Sequence, residues 1–490
     1  MKIPCHAAYV YASVKQARAP FAGQLLFATA MAALFQSPLQ AQDQNPNSAA
    51  AQAGASQQSS ASEEIAALRA EIAVLKQQLA AITAKVDAAA ANVQKNANPQ
   101  AEPAAVQAAN PIAASKSKSA FEISGDGGWS FRPRARIHYD VGSVNAPAAI
   151  PDSGATDGLG FGSEARRIWI GAEGALPGGF GYRLDVDVTG GPVVLRDVLL
   201  LYRTDKLSVN IGHHKPFFGI EELVSANDTS FTERSAWSDA FNFDRRVGVS
   251  AEYLTGPLLL QGGVFTDNIA ELDNDGNNSI ALSARTVFAP KLGKAQLHLG
   301  GSFQYVDLGD TQPNRQYRQR PFSRIADIRF LDTGSLNNAA SETGYGLEAA
   351  IIAGRLHASA ESYWLTLNRR DLANPTFFGG SVEAGLFLTG DTRKYRSGTF
   401  RRVDVSNPLD KGGLGALQLN IRYDYLDLND DIIIGGIQNS YQASLIWTPI
   451  NYVRFLFNYA RLEYTGAVIP AGADRNFGVD AFVARTQVSF

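Results

Sequence analysis

From residue 121 onward the chain alternates, stretch after stretch, between an apolar face and a charged one, and this two-residue period limits what it can fold into. In 131–139, Phe131, Pro133, Ala135, Ile137 and Tyr139 share one face, and Arg132, Arg134, Arg136 and His138 the other. In 182–188, Tyr182, Leu184, Val186 and Val188 oppose Arg183, Asp185 and Asp187. In 417–425, Leu417, Leu419, Ile421, Tyr423 and Tyr425 oppose Gln418, Asn420, Arg422 and Asp424. Side chains of a strand point alternately to its two sides, so such segments are half-buried strands. A soluble sandwich alternates as well. Here the polar faces are repeatedly charged and the apolar faces end in aromatics, the pattern of a transmembrane barrel with a wet interior. A helical membrane protein is excluded, since mean hydropathy is only -0.12 and no apolar run reaches the roughly 18 residues that a spanning helix needs.

Sixteen such segments are predicted, starting near 131, 164, 180, 193, 207, 245, 257, 279, 295, 344, 356, 380, 414, 438, 452 and 477. Short connections such as 204–206, 255–257 and 449–451 alternate with longer ones, notably 140–163, 216–244 and 308–343. That is the asymmetry of short periplasmic turns and long external loops. Two connections break it: 189–192 is short on the external side, and 391–413 is long on the periplasmic side. The last strand ends at Phe490, with Val488, Thr486, Ala484 and Phe482 on the same face, as outer-membrane assembly favours.

Ahead of the barrel the chain reads in four parts. Residues 1–41 are expected to be a signal peptide, with Lys15 and Arg18, an apolar core over 23–35 and a cleavage site at Leu39-Gln40-Ala41. The single cysteine, Cys5, falls within it, so the mature chain is expected to have no thiol or disulfide chemistry. Residues 42–61 are a Gln-, Asn-, Ser- and Ala-rich spacer, and 88–120 an Ala- and Pro-rich linker. Between them, over 62–87, Ile65, Leu68, Ile72, Leu75, Leu79, Ile82 and Val86 recur at spacings of three and four. These are the a and d positions of a coiled coil. Glu64 and Glu71 are placed to meet Arg69 and Lys76 of a parallel neighbour. The flanks offer nothing to pack against, which favours self-association, and the helix is expected in the periplasm because the first strand starts there.

Parity places Arg132, Arg134, Arg136, Arg167, Arg183, Arg246, Arg285, Arg422, Arg454 and Arg485 on inward faces. Guanidinium stays charged and binds phosphate or carboxylate through paired hydrogen bonds. Asp185, Asp187, Glu173, Glu252, Glu348, Glu361 and Asp424 share those faces, so pairing across the wall competes with any transport role. Arg132, Arg134 and Arg136 stand out because no carboxylate interrupts them. Enzyme chemistry has little to work with. The five histidines of the mature chain, His138, His213, His214, His298 and His357, have no zinc-ligand spacing. The run Glu271, Asp273, Asp275, Gly276 has Leu282 where a calcium loop needs Glu. No cofactor or metal is expected, and a net charge of -3 gives no support for nucleic-acid binding.

Three ordered motifs carry a family likeness: VNIGHHKPFFGIEEL, SANDTSFTERS and FDRRVGVSAEY, all within 197–253. FLTGDTRKY, GALQLNIRYDYLDLND and GGIQNSYQASLIWTPINYVRFLFNY follow. Over about 121–490 the chain resembles the phosphate-selective porin O and P family. The resemblance implies a trimer of 16-stranded barrels, an external loop folded into each lumen as a constriction, and basic residues that pass anions. It also implies inward folding of a long external loop and a periplasmic turn. Arg315, Arg318 and Arg320 in the first, and Arg393, Lys394 and Arg396 in the second, would then form an anion funnel. A solvated surface, or lipopolysaccharide contact for the external loop, is the alternative. One departure bears on selectivity: 216–244 contains no Lys and only Arg234, against six carboxylates. The expectation is therefore a homotrimeric outer-membrane porin, in contact with lipid and lipopolysaccharide, that passes small anions such as phosphate or polyphosphate. The alternatives are a general or differently selective porin of the same fold, and a protein that tethers the envelope.

Overall fold

A computed structural model describes Gln77 and residues 122–150, 158–272, 279–309 and 314–490. The chain divides into two compact units, 1–107 and 108–490. Of the first only Gln77 is described, helical and exposed; the signal segment and the coiled-coil core positions lie outside the described residues.

The second unit is a closed antiparallel barrel. Its strands are β1 (Trp129–Asn145), β2 (Gly160–Ala175), β3 (Phe180–Asp187), β4 (Val194–Arg203), β5 (Leu207–His214), β6 (Arg246–Thr255), β7 (Leu258–Phe265) and β8 (Ile280–Phe288). There follow β9 (Ala295–Asp307), β10 (Ala339–Ala353), β11 (Leu356–Arg369), β12 (Thr376–Phe387), β13 (Ala416–Asp430), β14 (Ile433–Ile450), β15 (Val453–Thr465) and β16 (Gly478–Ser489). Each strand pairs with the next, and β1 closes the ring on β16 from Arg136↔Ser489 to Asn145↔Asp480. Closure satisfies every edge, a requirement in hydrocarbon, where an unpaired peptide group has no water to bond. All sixteen expected strands are present, with the two expected exceptions to the short–long alternation.

Exposure follows parity. Ile137, Tyr139, Ile421, Tyr441 and Phe482 are exposed on the outer surface, whereas Asn420, Arg422, Ser444, Asn458 and Arg485, of the opposite parity on their strands, are buried. The polar residues are buried because 215–245 turns inward and packs on the inner wall, Thr232 meeting Asn458, the Ser230 carbonyl Ser444, and Glu233 Arg485. Its two short helices, α1 (Ile220–Leu223) and α2 (Ala236–Ala240), hold it against the wall. Trp237 stacks on Tyr363 of β11 at 5.7 Å between ring centroids, and Phe241 and Phe243 meet the same ring. Gly379 of β12 makes this approach feasible, since a Cβ there would run into the Trp237 side chain. Gly219 serves α1 similarly, its missing Cβ leaving room for the Glu361 carboxylate.

A second insertion enters from the short-turn end. Between β12 and β13 a hairpin of Lys394–Arg396 paired with Thr399–Arg401 folds against the inner wall. Arg285 of β8 donates to the Gly398 carbonyl at 2.8 Å, and the Tyr395 hydroxyl bonds His298 of β9 at 2.6 Å. The inner space is thus narrowed from both ends.

Candidate functional site

The inward arginines fall into three groups by what they touch. Arg422, Arg454 and Arg485 grip the inward loop. Arg422 bonds Glu221 at 2.8 Å, the Glu233 carbonyl and Gln442, with its guanidinium over the Phe231 ring at 4.2 Å. Arg454 donates to the Asn227 and Thr229 carbonyls. Arg485 clasps Asp140 through two bonds of 2.6 Å and reaches the Thr232 carbonyl and Glu233. Arg246 and Arg285 stiffen the wall: Arg246 bonds Ser279 and the Thr266 carbonyl, and Arg285 bonds Glu348 at 2.7 Å and Gln261.

The third group lines β1 to β3. Arg132, Arg134 and Arg183 all converge on Glu173, and Arg134 also meets Asp185 at 3.1 Å. Three guanidinium groups thus bond two carboxylates, with Glu122 also within electrostatic range of Arg132. Deeper in, Arg136 lies over the Trp169 ring at 4.3 Å and its Nη2 is 3.5 Å from the Ser225 hydroxyl. Arg167 makes no hydrogen bond or ion pair among the described residues. It is the cross-strand partner of His138, which stands two positions from Arg136 on the same face. Arg136 Nε, Arg167 Nη1 and His138 Nδ1 are all buried without a partner. Loop residues Ser225 and Asn227 face them, Asn227 Oδ1 lying 3.1 Å from His138 Nε2. Buried polar atoms are nearly always bonded, and here three without a partner come together from two adjacent strands.

Parity alone missed part of this site. The β1–β2 register slips between His138 and Tyr139, so Arg166 is an extra residue on β2. The bulge brings Arg166 inward beside Arg167, where it grips Glu233 at 2.6 and 2.9 Å. A bulge re-aims side chains in this way, and the Arg166-Arg167 doublet was the available signal. Arg196 and Arg245 were also missed. They lie 5.3 and 5.4 Å from the Trp169 ring and are paired with Asp187 and Asp197.

The two basic connections divide. In 308–343, Arg315 bonds Glu342 at 3.1 Å, Arg320 binds Asp327 at 3.0 Å and leans to Asp239 of the inward loop at 3.6 Å, and Arg318 is exposed. In the inner hairpin, Arg393 is buried on Ser230 and the Asp228 carbonyl, and Lys394 pairs with Asp404. Arg396 is exposed and makes no ion pair among the described residues.

The loop carries its own buried charge cluster. Glu222 accepts from Lys215 and from the Ser238 hydroxyl. Burial would raise its carboxyl, but Arg234 and Lys215 outweigh that and hold it at about 2, below the usual 4.5. Burial, with Arg234 adding repulsion, pushes the Lys215 ammonium down to about 8 despite Glu222. Since Glu222 titrates lower in the folded loop than in the unfolded chain, its stabilisation is complete above about pH 4.5 and is lost as the pH falls towards 2. At about 1.4 kcal/mol per unit, the loss is on the order of 3 kcal/mol. Urea unfolding at pH 5 and pH 2.5 is expected to show that drop in the wild type and a smaller one in Glu222→Gln. Equal drops would mean Glu222 does not govern it.

The model of the phosphate-selective porin O and P family matches residues 131–490. An uncharacterized protein of Caulobacter vibrioides is 45% identical over 410 residues, covering 82% of this chain and 81% of that protein. Among solved structures, outer-membrane expressed OmpT of Vibrio cholerae aligns over 76% of this chain and 100% of its own, at 10% identity and a TM-score of 0.49. An anion-selective porin from Comamonas acidovorans aligns over 74% of this chain and 100% of its own, at 14% identity and a TM-score of 0.48.

Proposed function

The chain belongs to the phosphate-selective porin O and P family and forms an outer-membrane channel, and we propose from that premise that it passes small anions by passive diffusion, with Arg136 and Arg167 as the groups that favour them. The observation that carries this reading is the pair of buried guanidinium groups beside the inward loop that, among the described residues, no carboxylate bonds. Most other inward arginines are held by acids or loop carbonyls.

Diffusion needs no acid, base or nucleophile; it needs a field of the right sign where the path narrows. An anion arriving there loses water and gains donors already aimed inward, whereas a cation meets two guanidinium groups that no carboxylate bonds among the described residues. Towards the short-turn end Arg132, Arg134 and Arg183, which share Glu173, offer a weaker next step. Such a graded series lets an ion leave as well as enter. With Nε2–H bonded to Asn227, His138 Nδ1 keeps a lone pair for a P–OH group, which suits a partly protonated phosphate. The second reading, a weakly selective porin, is favoured by the many carboxylates that do cancel arginines, Glu173 and Asp185 above all. We further propose a homotrimer, with the coiled coil on the periplasmic side of the membrane and the external rim against lipopolysaccharide.

The test is the zero-current potential in a planar bilayer under a tenfold KCl gradient. A chloride-preferring pore is expected, with current reduced by added phosphate. A potassium-preferring pore would overturn the anion reading.

A further inference from the structure

The hairpin that enters from the short-turn end encloses a cavity of about 380 Å³ against the wall, apart from the Arg136–Arg167 site. Leu254 and Pro290 give it an apolar face with Leu259 and Val287 buried behind them, and the exposed Lys291 and Arg396 also line it. Leu259 and Val287 are buried, whereas Leu254 remains 42% exposed. Neither cation makes a hydrogen bond or an ion pair among the described residues. Arg203 and Arg401 lie within electrostatic range of Arg396 and add to the positive field. Glu252, within electrostatic range of Arg203 and Arg401, accepts from Gln261 at 2.7 Å.

On the reading of the inner wall as an anion path, we propose that this cavity is a second binding site, one that takes small organic anions with an apolar body, of the aromatic or branched-chain carboxylate class. The volume falls in the lower range of small-molecule pockets, which pair apolar walls with a few placed polar groups. Inorganic phosphate has nothing to offer leucine, valine and proline, and would shed water there without return. An aromatic carboxylate meets both halves, its ring covering the apolar walls and its carboxylate reaching the fork of Arg396 or the ammonium of Lys291. The site sits where a solute leaves the path, so an occupant would also obstruct flow from that end.

The experiment is calorimetric titration of the full-length protein in nonionic detergent with benzoate, acetate and inorganic phosphate. Benzoate is expected to bind saturably and at least tenfold more tightly than acetate. Arg396→Gln and Leu254→Ser, both at exposed mouth positions, are each expected to weaken benzoate about tenfold. Benzoate binding no tighter than acetate, or indifferent to both mouth substitutions, overturns the site. Zero-current potentials on the same preparations separate this from the path itself. A potassium-preferring pore that still binds benzoate through Arg396 would sink the anion path and keep the cavity, and the converse would sink the cavity alone.

Discussion

Replacing Arg485 with alanine is expected to release the inward loop from the wall, cost about 3–5 kcal/mol of stability and enlarge the conductance of the pore. Arg485 and Asp140 are each 1% exposed and joined by two bonds of 2.6 Å. The same guanidinium reaches the Thr232 carbonyl and Glu233, so it ties β16, β1 and the loop at one point. Taking it away leaves the Asp140 carboxylate buried without its partner and Glu233 with Arg166 alone as a bonded partner. Breaking one half of a buried pair costs far more than the pair contributes, because the remaining charge stays out of water. Asp140→Asn removes the stranded charge, so Arg485→Ala with Asp140→Asn should recover much of the lost stability without recovering the loop anchor. Urea unfolding separates the two effects, and single-channel recording reads the loop. If Arg485→Ala unfolds at the wild-type urea concentration with unchanged conductance, the clasp does not hold the constriction.

The barrel could be read from the chain because its signal is repeated: every strand must put alternate residues in hydrocarbon, and a slip of one residue would reverse every side chain. Ile137 and Tyr139 are therefore as informative as Arg136 and His138. The inward loop is a different case. Over 216–244 no period holds, since Trp237, Phe241 and Phe243 pack on Tyr363 of a strand more than a hundred residues away. Nothing local marks them as facing inward. The site was legible to the extent that parity held. Arg136 and Arg167 could be named, but which arginines would be matched by acids could not. Glu233 shows why: it comes from the loop, and it meets Arg166 and Arg485 from different strands. Arg166 itself was hidden by a bulge, one extra residue that reverses the parity on one side of it.

Reversing the charge of the two unmatched arginines is expected to reverse the pore. In Arg136→Glu with Arg167→Glu the narrow region loses two positive charges and gains two negative ones, beside a loop already rich in Asp and Glu. Coulomb energies between unit charges at about 4 Å run from roughly 1 kcal/mol in water to about 4 kcal/mol near a protein surface. A few ångströms of displacement and partial screening still leave more than 1.4 kcal/mol, enough for a tenfold change in ion preference. The zero-current potential under a salt gradient should then change sign, and block by phosphate should vanish. Glutamines at the same positions should stop midway, near equal preference, because they remove the field without reversing it. The comparison with Arg454→Gln distinguishes local charge from net charge. Arg454 is also buried and carries the same charge, but it is held by the Asn227 and Thr229 carbonyls, so its loss should loosen the loop and leave the sign of selectivity intact. If Arg454→Gln shifts the potential as far as Arg136→Gln does, selectivity belongs to the summed charge of the lumen rather than to the unmatched pair.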